Sequence, residues 1–450
     1  MAQGKRRSGR DSTQITPSGM PRRRIIVGGT LGPMLGGLAA ACGVGGATEQ
    51  GVSLTVKGPV TVQLWEESQP LFLSFLEKWQ APFSAKHPQI KVEHVARPVD
   101  WGPKLTAAIA SGTPPDVAYA FGDPLFALQQ EKALMVLDPY IRASRLDVQD
   151  FLQGIYKAMS RDGQQFALPR YVNTNTIFYN RNHFQRAGLP LPKDDWTHDQ
   201  LLDAAQKLTR GPQDRREVWG MNADLSSLRV RACSLLWGQC ASFNDPKEPA
   251  VFTFNHPANV KAFQWVHDLP WRHRVSPVPA LGRDAMFTTG ILAIGLDATA
   301  GLTVAKDAQT DWDIVAIPRG PCGRGDRSSV DTYVIPTGVK TPEAAWALLE
   351  SLTGKDAARL MAEIMGLAPA RKSQQEAWVK TFPGKNLKAA LPTDDARPDP
   401  AAWWPKAAET TTAINAVMAS LFIKNEVSVP DALRKLHEAV VGSAGPAAAR

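Results

Sequence analysis

The chain has 450 residues, 44% hydrophobic and 21% charged, which is too long for one core and too apolar for a disordered chain, so two domains are expected. The formal net charge is +8, but seven Lys/Arg against Asp11 within residues 1–41 supply six of those charges. The near-neutral remainder gives no case for nucleic-acid binding.

Residues 1–20 are polar and basic and are expected to be disordered. Pro21-Arg22-Arg23-Arg24-Ile25-Ile26 and the uncharged run Val27–Ala41 then read as an export signal, too short in its apolar part for a secure membrane span. The Arg pair followed two residues later by Ile fits a twin-arginine signal. Leu38-Ala39-Ala40-Ala41-Cys42-Gly43 resembles a lipoprotein cleavage box, with Ala39 where Leu is common. Lipidation of Cys42 and a plain cut near Ala41 are the two alternatives, and Gly43–Gly58 follows as a tether. Cys233, Cys240 and Cys322 then allow at most one disulfide. A helix separates Cys233 from Cys240 by roughly 10 Å, too far to bridge unless Gly238 breaks it. No spacing suits zinc.

Val60–Trp65 alternates as a strand, and Leu71, Phe72, Phe75, Leu76 and Trp79 recur at helical spacing. Ile90–Val95 and Pro115–Ala120 are further strands, the second preceded by a helix that ends at Gly112. Strands alternating with helices predict a mainly parallel, doubly wound α/β sheet, with ligands outside the carboxyl ends of its strands. That rule places Trp65, Glu66, Glu67, Phe121 and Asp123 at a cleft. Gly163–Pro190 predicts an extended crossing up to Pro169, a strand over Thr176–Tyr179, and a helix stopped by Gly188 and Pro190. Thr197 and Gln200 form a capping-box pattern. Leu228–Trp237 predicts a helix, Thr341–Gly354 a Pro-started helix, and Ala401–Gly442 two helices.

These motifs carry a resemblance. The Gly163–Pro190 run is similar to the hinge signature of bacterial extracellular solute-binding proteins of the carbohydrate-uptake, maltose-binding-protein-like type. Ser111–Val117, Leu134–Ile141, Trp196–Leu201, Phe287–Gly295, Trp312–Pro318, Ser329–Pro336 and Gly366–Ser373 resemble further family segments in the same order, over residues 60–442. Two departures stand out: no Gly-Gly follows Trp237, and no Gly lies near Asp331–Tyr333. The resemblance implies a two-lobed periplasmic-binding-protein type II-like fold. Its N-lobe would be 59–169 plus 333–388 and its C-lobe 170–332 plus 389–450, after a signal peptide over 1–42 and a tether over 43–58.

A sugar offers an apolar C–H face and a hydroxyl rim, so its site needs flat aromatics and short planar polar groups. The family positions bring Trp65, Glu67, Phe121 and Asp123 from the N-lobe, Tyr171, Asn173 and Tyr333 from the hinge, and Trp237 and Asp297 from the C-lobe. Trp403 or Trp404, with Trp404 preferred, matches the place of a ligand-stacking aromatic. Against each stands a bland role: core packing for the Trp residues, a helix cap for Asp123, a hinge turn for Asn173.

No GxSxG, HExxH, Walker A or GxGxxG pattern occurs, and adjacent Glu66 and Glu67 on an extended chain point to opposite faces. The expected function is the substrate-binding component of an ABC importer for a sugar or oligosaccharide. It is expected to be exported, monomeric, anchored outside the membrane through Cys42 and docked on permease subunits, with no cofactor, metal or nucleic acid. The alternatives are a secreted glycan hydrolase or lyase and a binding protein serving a sensor. A cleft rich in arginine, such as Arg170 and Arg229, would indicate an acidic or phosphorylated ligand.

Overall fold

A computed structural model of the chain describes residues 52–244, 251–392, 397, 399–400 and 404–444. The signal region, Cys42 and Trp403 lie outside the described residues.

The first strand, β1 (Val60–Glu66), leads into α1 (Pro70–Lys86), then β2 (Ile90–Ala96), β3 (Val117–Phe121) and α2 (Gly122–Gln130). β4 is one unbroken strand of 14 residues, Ala167–Asn180. The extended crossing and the separate strand expected there are therefore a single element, with a shift in register beside Pro169, where Asp331 pairs with Tyr171 and Thr332 with Pro169. After it come α3 (His198–Leu208), β5 (Asn222–Ala223), β6 (Ile294–Ala298), β7 (Trp312–Val315) and β8 (Ser328–Val334). The chain ends with α4 (Pro342–Leu352), α5 (Lys355–Met365), β9 (Ala368–Pro369), α6 (Ala407–Met418) and α7 (Val429–Ala444).

The nine strands form one sheet in the order β2-β1-β3-β8-β4-β6-β5, with β7 and β9 also on β4. Only β2-β1-β3 and β5-β6 pair in parallel; β8 runs antiparallel to β3 and β4, and β4 antiparallel to β6, β7 and β9. The sheet is thus mixed rather than mainly parallel. β4 gives its first half to β8 and its second half to β6 and β7, so one strand belongs to both halves of the sheet.

α1 buries Phe72, Phe75, Leu76, Trp79 and Phe83 and packs on α5, each such side chain contributing about 1.5–3 kcal/mol. Leu71, expected on that face, is instead exposed at the first turn. The Thr197–Gln200 box is present in both directions, at 3.3 Å and 2.8 Å. The predicted helix at Leu228 opens as a π-helical turn, Leu228–Ala232, before continuing over Cys233–Gly238. Cys240 adopts φ 72° just past that end and pairs with Cys322, 82 residues on, leaving Cys233 buried and free. α6 packs on α2 of the first half and on α7, which packs on the second half through Pro257–Trp271. Among the described residues no helix is long and apolar enough to cross a membrane.

Candidate functional site

Where the two halves of the sheet meet, a cavity of about 220 Å³ opens between the end of β3, the start of β8 and the Leu228–Ala232 turn. Phe121 and Gly122 line it from the first half, Asn173 from β4, and Arg229, Arg231 and Arg283 from the second half. Arg327, Ser329, Asp331 and Asp399 complete its polar wall.

Strand alternation sets which groups arrive there. Asp331 stands opposite Phe121 on β3 and opposite Tyr171 on β4, and Asn173 stands opposite Ser329. Asn173 donates its amide to Asp331 at 2.6 Å, and Tyr119 donates its hydroxyl to the same carboxylate. A phenol has one proton to give, so at the 2.9 Å contact between the two hydroxyls Tyr171 donates to Tyr119. Burial pushes Asp331 up to about 6, against the pull of the Tyr119 hydrogen bond and Arg170. Burial also pushes Tyr119 and Tyr171 well above the usual phenol range, so both keep their protons.

A chain of ion pairs crosses the cavity. Arg229 reaches Asp123 at the first turn of α2, at 3.1 Å, and bonds Asp399 with its other amino group. Asp399 also accepts from Arg327 at 3.1 Å. Gly122 makes room for this: its φ is 67°, and a Cβ there would lie 2.8 Å from the Arg229 guanidinium. On the far side Arg231 and Arg283 share Asp297 at 2.7 Å and 2.5 Å, and Arg231 also holds Asp224 at 3.0 Å. Burial alone would raise Asp297, but Arg283 and Arg231 hold it below the usual carboxylate range. Two polar atoms on the wall, Arg327 Nε and Asn173 Oδ1, are buried with no hydrogen-bond partner among the described residues.

Of the side chains expected at the site, Phe121 and Asn173 line this cavity and Asp123 enters it through Arg229. The rest are placed elsewhere. Trp65 is half-buried and donates to Gln63, while Glu67 pairs with Arg97 at 3.0 Å. Tyr171 lies one layer behind, under Asp331. Tyr333 is buried and bonds Glu66, which is joined to the buried Arg170 at 2.9 Å. Arg170 is therefore an internal cation ringed by Phe72, Tyr119 and Tyr333, not a cleft group. Trp237 packs on Phe243 beneath Arg397, and Trp404 is 1% exposed in the core. Asp297 faces a neighbouring cavity rather than this one. The cavity residues that sequence reasoning missed, Arg231, Arg283, Arg327, Asp331 and Asp399, come from four separated stretches of the chain, with only Arg327 and Asp331 near one another. Only the Arg229-x-Arg231 spacing gives a local signal.

A family profile described as "Bacterial extracellular solute-binding protein" matches residues 78–396, well over half of the chain. The mannitol-binding protein of Pseudomonas aeruginosa is 26% identical over 236 residues, 49% of this chain and 52% of that one. Two solved structures share the fold at 19% identity and each cover 86% of this chain. An ABC transporter solute-binding protein of Thermotoga lettingae, bound with alpha-D-tagatose, has a TM-score of 0.74 over 100% of its length. UgpB of Mycobacterium tuberculosis, in complex with glycerophosphocholine, has a TM-score of 0.72 over 98%. The architecture is accordingly the two-lobed α/β fold. By its profile match the chain belongs to the bacterial extracellular solute-binding proteins.

Proposed function

We propose that this chain is the substrate-binding component of an ABC importer and takes a small neutral sugar or polyol into the interlobe cavity. One observation carries the reading: Arg327 and Asn173 both line the cavity, and each has a buried polar atom, the donor Nε and the acceptor Oδ1, without a hydrogen-bond partner among the described residues, so a modest turn of either side chain offers it to a solute. A hydroxyl group both accepts and donates, so a polyhydroxylated solute satisfies both at once. The volume of about 220 Å³ lies below the roughly 300–1,000 Å³ of drug-sized pockets, which suits a monosaccharide or polyol better than an oligosaccharide. The four arginines do not argue for an anion. Asp123, Asp224, Asp297 and Asp399 already neutralise them, and Asp331 adds a further carboxylate.

The lobes we assign are 59–169 with 333–388 and 170–332 with 389–450, closing about β4 and β8. The twin-arginine pattern and the Cys42 box support export and lipid anchoring outside the membrane, as a monomer that delivers solute to permease subunits without turnover. Residues 43–450 mixed with sugars, polyols, sugar acids and polyol phosphates test this by melting temperature. Neutral sugars or polyols should stabilise by about 2.7 kcal/mol at 100 times the dissociation constant and be recovered unchanged. Stabilisation by phosphates alone, or formation of product, would refute it.

A further inference from the structure

Next to the cleft, the second lobe holds another cavity, of about 680 Å³, which Asp297 alone among the residues expected at the ligand site lines. Its floor is apolar and shielded from bulk water: Phe178 from β4, Met286 and Phe287 from the short helix Asp284–Phe287, Leu292, and Leu296 from β6 are each 3% exposed or less. Its mouth is more open, formed by half-buried Leu281 and exposed Pro279. Arg231 and Arg283 line both this cavity and the cleft, and with Asp297 they form the partition between the two. The partition is close to charge-neutral because Asp224 and Asp297 match the two arginines. The Arg283 side chain, 37% exposed, is the partition group most open to an incoming molecule.

We infer that this cavity is a second binding site, for an uncharged molecule with an apolar ring or short chain and one polar end. The volume falls in the range of small-molecule sites, and an apolar floor with a few polar groups on one side is how such sites fix orientation. The apolar body lies against Phe178, Phe287 and Leu296, and the polar end meets Arg283 at the partition. A charged end is disfavoured, since it would compete with Asp297 for guanidiniums already engaged.

The neutral fluorophore N-phenyl-1-naphthylamine tests this with the mature chain. The site predicts saturable, one-to-one fluorescence enhancement. Leu281→Trp, at the half-buried mouth where a larger side chain can be placed without opening the core, should weaken it about tenfold or more. Phe121→Ala, at a residue that lines the cleft and not this cavity, should leave probe binding unchanged at matched melting temperature, so failure here is separable from failure of the solute-binding reading. Non-saturable enhancement, or equal binding by wild type and Leu281→Trp at matched melting temperature, would overturn the proposal. Loss of binding in Phe121→Ala would place the probe in the cleft and overturn it as well.

Discussion

Glu66 and Glu67 show how much one register step decides. Glu66 ends β1 and is buried against Arg170, while Glu67, one residue past the strand, pairs with Arg97; which of the two is fully buried was not legible in the sequence, because that depends on Arg170, 104 residues away. Glu66 and Arg170 are both fully buried, and burial opposes the arginine's charge until Glu66 and the surrounding phenols more than offset it. Glu66→Ala would strand that cation, and urea unfolding should show a loss of about 3–5 kcal/mol. Asp331 makes a prediction in pH. Its folded value of about 6 lies above the ordinary 3.8, so its stabilising contribution is full below the ordinary value and is lost as pH rises through 6. Asp297 works in the opposite sense: its contribution is present above the ordinary carboxylate value and is lost as pH falls through its lowered one. The groups facing Asp331 are Tyr119 and Tyr171, Asn173, Arg170 and Glu67. Melting temperature followed from pH 7 to 5 should therefore fall less, or rise more, in wild type than in Asp331→Asn. Parallel curves would remove Asp331 as the titrating group.

At the scale of elements, local pattern was a good guide to helices and a poor one to pairing. The Thr197–Gln200 box is readable because both partners lie within one turn. The antiparallel β8 and the Cys240–Cys322 bridge are not, since their partners are remote in sequence. The same limit hid the contact between α2 and the Leu228–Ala232 turn, where Asp123 meets Arg229 over Gly122. With the lobes proposed above, this ion pair ties one to the other, so it should hold the cleft closed. Asp123→Asn weakens the tie, and small-angle scattering of the unliganded protein should then give a larger radius of gyration. Gly122→Ala should do the same, and should also cost about 1–2 kcal/mol for a left-handed backbone carrying a Cβ. Unchanged scattering in both variants would mean that the pair plays no part in closure.

Across the whole molecule, the two-lobed architecture was legible from the order of many weak motifs, whereas of the candidate cavity only the lining residues Phe121 and Asn173, and Asp123 as the partner of Arg229, were named from the sequence. The sequence draws attention to tryptophans, but Trp237 and Trp404 are spent on the core, as large apolar groups usually are. Trp404→Ala should accordingly cost about 3–5 kcal/mol in stability, read by denaturant unfolding, with solute affinity changed little in the fraction that folds. The cleft instead draws arginines and aspartates from five separate segments, a convergence no local pattern announces. The measurement that tests the central claim most directly is calorimetric titration of the most stabilising neutral solute into wild type, Asn173→Ala and Asp331→Asn. One-to-one binding weakened about tenfold or more in both variants, with the solute recovered intact, is the expected result. Equal affinity in all three would place the solute outside the interlobe cavity and contradict the account.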